Sequence, residues 1–380
     1  VTRSLASWRA TSSLAGSKAP TSKEKTLFSK RSKLLVGTLF ASSLLLGATS
    51  AVQASAPDTM KAVPRFTVLP AKGSQDVNQA GALTTWKFSY KYNNSNYTDT
   101  FVGNAPTGKS VTTPVFIIPI KIVLSTGQSF STSTAQPNGQ TALADTVASP
   151  LFQSTVNFKE AGTKLGKTQY EDAFVRESFW PTVGKKYHDL LGQPTVLSEV
   201  TLNVPAQYGK IGTEFGVQVA LVDINYLDGQ VNSIIKANTQ ITGASIPIFE
   251  LYDTYETSGG CCIGGYHSAT GAQTYSVFDY VGNTTGKSVF SQDVSALSHE
   301  LAEWYFDPFI NNNSACGIYE VGDPLERESN YGGYPYTTNG MTYNLQDEAQ
   351  PPYFGAPPAT SLDSRFTFQG TKLNVCQNGS

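Results

Sequence analysis

The chain has 380 residues, of which 15% are charged and 11% aromatic, with 19 Tyr and 20 Phe and a formal net charge of −2. That length is ample for a sizeable core in one domain or two, and scarce charge with abundant Tyr, Thr, Ser, Asn and Gly suits a β-rich exported protein better than a helical cytoplasmic one. Residues 1–54 hold eight Lys/Arg and one Glu, leaving 19 basic and 28 acidic residues and a net charge of −9 beyond them, which argues against nucleic acid or an anionic membrane as partner.

The front end reads as an N-terminal extension plus signal peptide over 1–54. Lys30, Arg31 and Lys33 form a basic region, Leu34 to Leu46 an apolar one, and Val52-Gln53-Ala54 a small-x-small signal with the cut placed after Ala54. The apolar run is short and broken by Gly37, Ser42, Ser43 and Gly47, and no later stretch is long and apolar enough to span a bilayer. The expectation is a secreted or extracytoplasmic protein, in the periplasm or at the cell surface, with no membrane anchor after cleavage.

The rest is expected to be α+β: a β-rich region over 55–205, then a zincin-like region over 206–380 carrying one active-site helix, with one continuous domain as the alternative. Phe66–Leu69 and Thr84–Tyr90 are strand candidates, with a turn at Asn93–Asn96. Val115–Leu124 is the first strongly apolar strand, and Pro119 within it suggests an edge or a bulge. A short helix is expected over Ser149–Phe158 and a mixed segment over Tyr170–Phe179. His188, with nothing ligand-like near it, reads as a surface or packing residue. Val200–Val204 is a strand, Phe215–Tyr226 a buried one, and Leu227–Gln240 a helix with Asp228 near its cap. Ile246–Tyr252 and Tyr275–Val281 are further strands, separated by a glycine-rich loop that carries Cys261, Cys262 and His267. A late strand is expected at Arg365–Phe368.

Ser298-His299-Glu300-Leu301-Ala302-Glu303-Trp304 holds the chemistry. It reads His-Glu-x-x-Glu, where the zinc-protease helix reads His-Glu-x-x-His. Ser291 and Asp293 sit where a helix N-cap and first-turn acid belong, and Asp307-Pro308 ends the run. Val294, Leu297, Leu301 and Trp304 make an apolar stripe, which leaves His299, Glu300 and Glu303 on another side. Residues four apart stack along a helix, so His299 and Glu303 can grip one ion. Glu320 is the expected third ligand, and Asp323 another ligand or the carboxylate that orients His299. Glu300 would activate water, and His267 or Tyr343 would stabilise the oxyanion.

The ion expected is Zn2+. One imidazole with two carboxylates is more anionic than the usual zinc set, which also suits Mn2+ or Ca2+. The reaction expected is hydrolysis of a peptide or protein substrate. The competing expectation is a non-catalytic secreted or cell-surface binding protein, with Glu303, Asp307, Glu320 and Asp323 forming a structural calcium or carboxylate site. The four cysteines, Cys261, Cys262, Cys316 and Cys376, suggest disulfides in an exported chain. Neighbouring cysteines rarely join, so Cys261 and Cys262 are each expected to pair with Cys316 or Cys376, in either order.

Cys261-Cys262-Ile263-Gly264-Gly265-Tyr266-His267-Ser268, the His299 helix with Asp307-Pro308, and Glu320-Val321-Gly322-Asp323-Pro324 together resemble a family of exported, largely uncharacterised bacterial proteins grouped as metallopeptidases. The helix is also distantly similar to that of plant EXORDIUM-like proteins. The resemblance covers about the last third of the chain, and it implies export and a shared metal-type site more than any particular reaction.

Overall fold

Val115–Leu124 is apolar almost throughout, as a parallel strand covered on both faces must be, and it forms the middle of an eight-stranded mixed sheet. The computed structural model describes residues 66–73, 81–214, 216–282, 291–326, 328, 332–338 and 340–377. The extension, signal peptide and cut expected over 1–54 lie outside these residues.

Six strands of the sheet position the site: β1 (Thr67–Val68), β2 (Val115–Leu124), β3 (Val200–Val204), β4 (Ile246–Tyr252), β5 (Gly265–Thr270) and β6 (Gln273–Tyr280). Four helices bear on the site: α1 (Ala142–Ala148), α2 (Tyr170–Ser178), α3 (Ile224–Ala237) and α4 (Ser295–Phe306). The strand order is β1-β5-β6-β4-β2, with Thr195–Val196 and β3 completing the far side of β2. β5 and β6 form an antiparallel hairpin; the pairings of β6 with β4, β4 with β2, and β1 with β5 are parallel. The sheet thus takes strands from both sides of residue 205, and residues 57–380 form one unit. The architecture is mixed α/β.

Pro119 lies inside the sheet rather than at an edge. It faces Glu250 of β4 on one side. On the other, the neighbouring chain pairs with Phe116 and Ile117, breaks, and resumes opposite Ile120. The missing N–H is accommodated by a gap in the neighbour, so no bulge is needed.

Other elements depart from expectation for identifiable reasons. No helix forms over Ser149–Phe158. The helix lies earlier, as α1, because the Thr141 side chain caps it by accepting from the Ala144 N–H at 3.1 Å. Val156–Glu160 instead pairs with Thr163–Thr168, burying Val156 and Phe158. The mixed segment resolves as α2, buried along its whole length. The strand expected to run to Tyr226 ends at Asp223, whose carboxylate accepts from the Tyr226 N–H at 2.9 Å and starts α3. Asp228, expected near that cap, is buried and accepts from the Tyr275 hydroxyl at 2.6 Å. Arg365–Phe368 makes one bridge, Thr367 to Ala349, and no strand.

α4 is the largest departure. It begins at Ser295, beyond the expected cap. Asp293 takes a left-handed conformation, φ 44°, and its carboxylate accepts from the Val294 and Asn344 N–H groups. Every residue of α4 is buried, because it is enclosed by β5 and β6, α2, Ser95–Val102 and Met341–Gln346. The expected polar face therefore points into the protein. Trp304 and Tyr305 fix its C-terminal turn through the Thr274 hydroxyl at 2.9 Å and the Asp189 carbonyl at 3.1 Å.

Many carboxyl groups are buried. Burial pushes the pKa of Asp99 and Asp253 up to about 7 and that of Glu250 up to about 8. Each keeps its proton in the folded chain where the unfolded chain, near pKa 4, has lost it. The stability these groups contribute is complete below about pH 4 and is lost as pH rises through about 7 to 8. Denaturation by urea is therefore expected to show a higher midpoint at about pH 5 than at about pH 8. A midpoint that rises between those values would contradict the burial of these acids.

Candidate metal centre

α4 carries His299, Glu300 and Glu303 into the interior between β5 and the turn at 320–326. Gln346, on the strand Met341–Gln346, sets the state of His299. The Gln346 Nε2 donates to the Gly322 carbonyl at 3.1 Å, which turns its Oε1 toward His299 Nδ1 at 3.0 Å. Nδ1 therefore carries the hydrogen. Burial lowers the His299 pKa, so the ring is neutral and Nε2 presents a lone pair. That lone pair faces Glu303 Oε1 at 2.9 Å and Asp323 Oδ1 at 3.7 Å. Three acceptors converge, and only a cation or a proton between them satisfies the arrangement.

A second group shares Glu303. His267 Nε2 lies 3.2 Å from the Asp307 backbone carbonyl, which can only accept, so Nε2 carries the hydrogen. Its Nδ1 lone pair then faces Glu300 Oε2 at 3.1 Å and Glu303 Oε2 at 3.6 Å. Burial pulls the His267 pKa down to about 3. Both groups, His267/Glu300/Glu303 and His299/Glu303/Asp323, could hold a metal ion. Bonds of 2.0–2.1 Å in a tetrahedral site put neighbouring donors roughly 3.3 Å apart, and the observed separations of 2.9–3.7 Å bracket that value.

Charge points the same way. Glu320 is buried against Glu303, its carboxyl within hydrogen-bonding reach of the Glu303 carboxyl. Burial first, then neighbouring carboxylates, raise the pKa values of Glu300 and Glu320 well above the usual range. Among the described residues no Lys or Arg pairs with Glu300, Glu303 or Glu320. Buried acids without a basic partner need protons or a cation.

The two groups differ in access. Glu303, Glu320 and Asp323 line a cavity of about 140 Å³ together with Phe66, Thr67, Val68 and Ile318. His267 and Glu300 are enclosed, and Glu303 belongs to both groups. Gly322 lets the turn come close, since a Cβ there would strike the His299 ring; its φ of −83° is ordinary, so the requirement is for space.

The structure brings His299, Glu303 and Asp323 together, with Glu320, the third ligand expected first, beside Glu303 rather than in that group. His267 sits on β5 rather than in a loop, and both its ring nitrogens are engaged, which leaves it no hand for an oxyanion. Tyr343 lies on Met341–Gln346 with Asp145 and Asp293 as its charged neighbours, apart from both groups. Asp307 Oδ1 accepts from the N–H groups of Asn311 at 2.9 Å and Asn312 at 3.1 Å, and caps the turn after α4. His188 is half-buried, with Nδ1 2.9 Å from Asp172. Gln346 and Gly322 carried no local signal in the sequence, because both act across folded distance.

The cysteines pair differently from expectation. Cys316 and Cys376 form a disulfide with their Cα atoms 5.0 Å apart, and Cys261 and Cys262 join each other. The reason is position: the Cys316 sulfur and the Cys376 N–H both lie against the Tyr353 carbonyl, whereas Cys261 lies beside Glu214. The Cys316–Cys376 bond fits an oxidising, extracytoplasmic compartment, and among the described residues no helix is long and apolar enough to cross a membrane.

Gly103-Asn104-Ala105-Pro106-Thr107-Gly108-Lys109-Ser110 matches the spacing of a phosphate-binding loop. The chain continues into the strand Val111–Thr113 instead of a helix, and the Asp189 carboxylate lies against Gly103, so neither the helix dipole nor the charge suits phosphate. No protein-family model, curated protein or solved structure matches this chain.

With only three histidines in the chain, 15N labelling of the rings tests the assignments directly. Near pH 7, in chelator, His299 is expected as the Nδ1–H tautomer and His267 as the Nε2–H tautomer. His267 is expected to stay neutral down to about pH 4. The opposite tautomer at either ring would remove the facing lone pairs.

Proposed function

We propose that this protein is an exported metal-dependent hydrolase that cleaves peptide bonds, with one divalent cation, zinc first, held by His299, Glu303 and Asp323. The observation that carries the proposal is the His299 Nε2 lone pair, 2.9 Å from Glu303 Oε1 at the wall of a cavity. A catalytic cation needs three protein ligands and an open position, and this group borders space through both Glu303 and Asp323. Glu320 supplies a further carboxylate there. The fold reading extends to a zincin-like arrangement, in which α4 packs beneath a mixed sheet bearing the antiparallel β5–β6 hairpin. The resemblance to exported bacterial metallopeptidases belongs to the same proposal.

When bound, the cation supplies polarisation of a carbonyl and acidifies water. Glu300 is the base. Burial, and then the carboxylates around it, raise its proton affinity, so once ionised it would take a proton from the attacking water and return it to the leaving amine. In its protonated form Glu300 donates to His267 Nδ1, and the Asp307 carbonyl anchors that ring through Nε2–H. Two carboxylates temper the Lewis acidity of zinc and leave room for Mn2+, whereas the imidazole nitrogen counts against Ca2+.

A second reading is favoured by the complete burial of His267, Glu300 and Glu303: a structural cation there, in a non-catalytic secreted binding protein. Elemental analysis and activity separate the two. The mature protein is expected to retain about one equivalent of zinc, and His299→Ala to lose it. Glu300→Gln is expected to keep the metal while peptide hydrolysis falls at least about 100-fold. Hydrolysis that survives Glu300→Gln would overturn the proposal; metal lost from His267→Ala but retained by His299→Ala would favour the second reading.

A further inference from the structure

We propose that Phe66–Lys72 occupies, within its own chain, the binding place of an extended peptide, so that the structure shows the site self-occupied. For the identity of the natural ligand as substrate this rests on the hydrolase reading; for the binding place itself it does not.

β1 is the outermost strand of the sheet and pairs in parallel with β5, Thr67 opposite Tyr266 and Val68 opposite His267. The segment is held chiefly by its main chain. The Lys72 N–H donates to the Ala269 carbonyl at 2.8 Å, the Gly271 N–H to the Lys72 carbonyl at 2.7 Å, and the Ser268 hydroxyl to the Leu69 carbonyl at 2.8 Å. A strand belonging to a core buries alternate side chains. Here Thr67, Val68 and Leu69 are only half-buried. Backbone pairing at a sheet edge, with side chains left mostly free, is how sheets bind extended peptides of varied sequence.

Two anchors fix the ends. The buried Phe66 ring stacks on the His299 ring, centroids 3.8 Å apart and planes at 28°, and the Phe66 N–H donates to Glu326 Oε1 at 2.7 Å. Six residues on, the Lys72 ammonium pairs with the buried carboxylate of Asp228. Between the Phe66 end and the candidate ligands lies the acidic cavity of about 140 Å³. The ligand class follows: an extended peptide with an aromatic residue against His299 and a cationic residue reaching Asp228. While Phe66 covers the imidazole, a second peptide cannot.

The test is binding, measured in chelator so that no cleavage intervenes. A fluorescein-labelled peptide of residues 64–73, Pro-Arg-Phe-Thr-Val-Leu-Pro-Ala-Lys-Gly, is titrated against the full chain and against the full chain carrying Phe66→Ala. The variant loses its own aromatic anchor and is expected to bind the peptide at least about tenfold more tightly than the unmodified chain. Equal affinity, or no binding to a variant with unchanged circular dichroism, would overturn the proposal. Amide exchange of the unmodified chain provides the measurement that needs no variant. Saturating peptide is expected to accelerate exchange at Lys72, and protection that persists at saturation counts against displacement. Binding without hydrolysis by the metal-loaded protein would sink the hydrolase reading alone; hydrolysis without this binding would sink the present proposal alone.

Discussion

Two electron pairs face each other across 2.9 Å at the centre of this protein, one on His299 Nε2 and one on Glu303 Oε1. Their arrangement is imposed from outside the pair. Gln346 claims the Nδ1 hydrogen, the Gly322 carbonyl fixes which way Gln346 points, and the Gly322 N–H holds the same Glu303 oxygen at 3.2 Å. Main chain and side-chain amide thus leave the imidazole and the carboxylate no mutual solution except a shared positive charge. The second histidine repeats the logic with a different fixed partner, the Asp307 carbonyl. Glu303, with one oxygen toward each ring, joins the two groups into one electrostatic unit.

That unit sits inside a helix environment poorly suited to charge. α4 has no solvated face; sheet, neighbouring helix and two hairpins enclose it. Carboxylates placed there without basic partners are costly as anions, and each pushes up the proton affinity of the next. Elsewhere in the interior, burial likewise raises the pKa values of Asp99, Glu250 and Asp253. A cation between His299 and the carboxyl groups of α4 would relieve the negative charge gathered there.

The sheet edge is where interior and exterior meet. β5 turns one face of its backbone toward β6 and the other toward β1, and its His267 belongs to the buried group. Whatever strand lies at β1 therefore runs beside the candidate ligands. Phe66 stacks on the His299 ring, which ties the occupancy of that edge to the accessibility of the imidazole.

Features that depend on contiguous residues were legible in the sequence. The apolar runs at Val115–Leu124 and Ile246–Tyr252 became the central strands, because a run of that length and composition has few other ways to hide from water. The four-residue interval between His299 and Glu303 placed both on one side of α4, since helical periodicity is a property of local backbone. Local signals misled where neighbours in space competed: Asp223 outcompeted Asp228 as the cap of α3, and the polar side of α4 turned inward once other elements covered it. The bond of Cys316 to Cys376, the union of His267 with Glu300, and the hold of Gln346 on His299 depend on segments tens of residues apart. Only packing decides which of these meet, because a hydrogen bond or disulfide is selected by position in space, and no period in the chain encodes that position. The residues thus announced a helix able to offer an imidazole and an acid; the tertiary structure decided that both would be buried, which nitrogen would bear the lone pair, and which strand would lie across them.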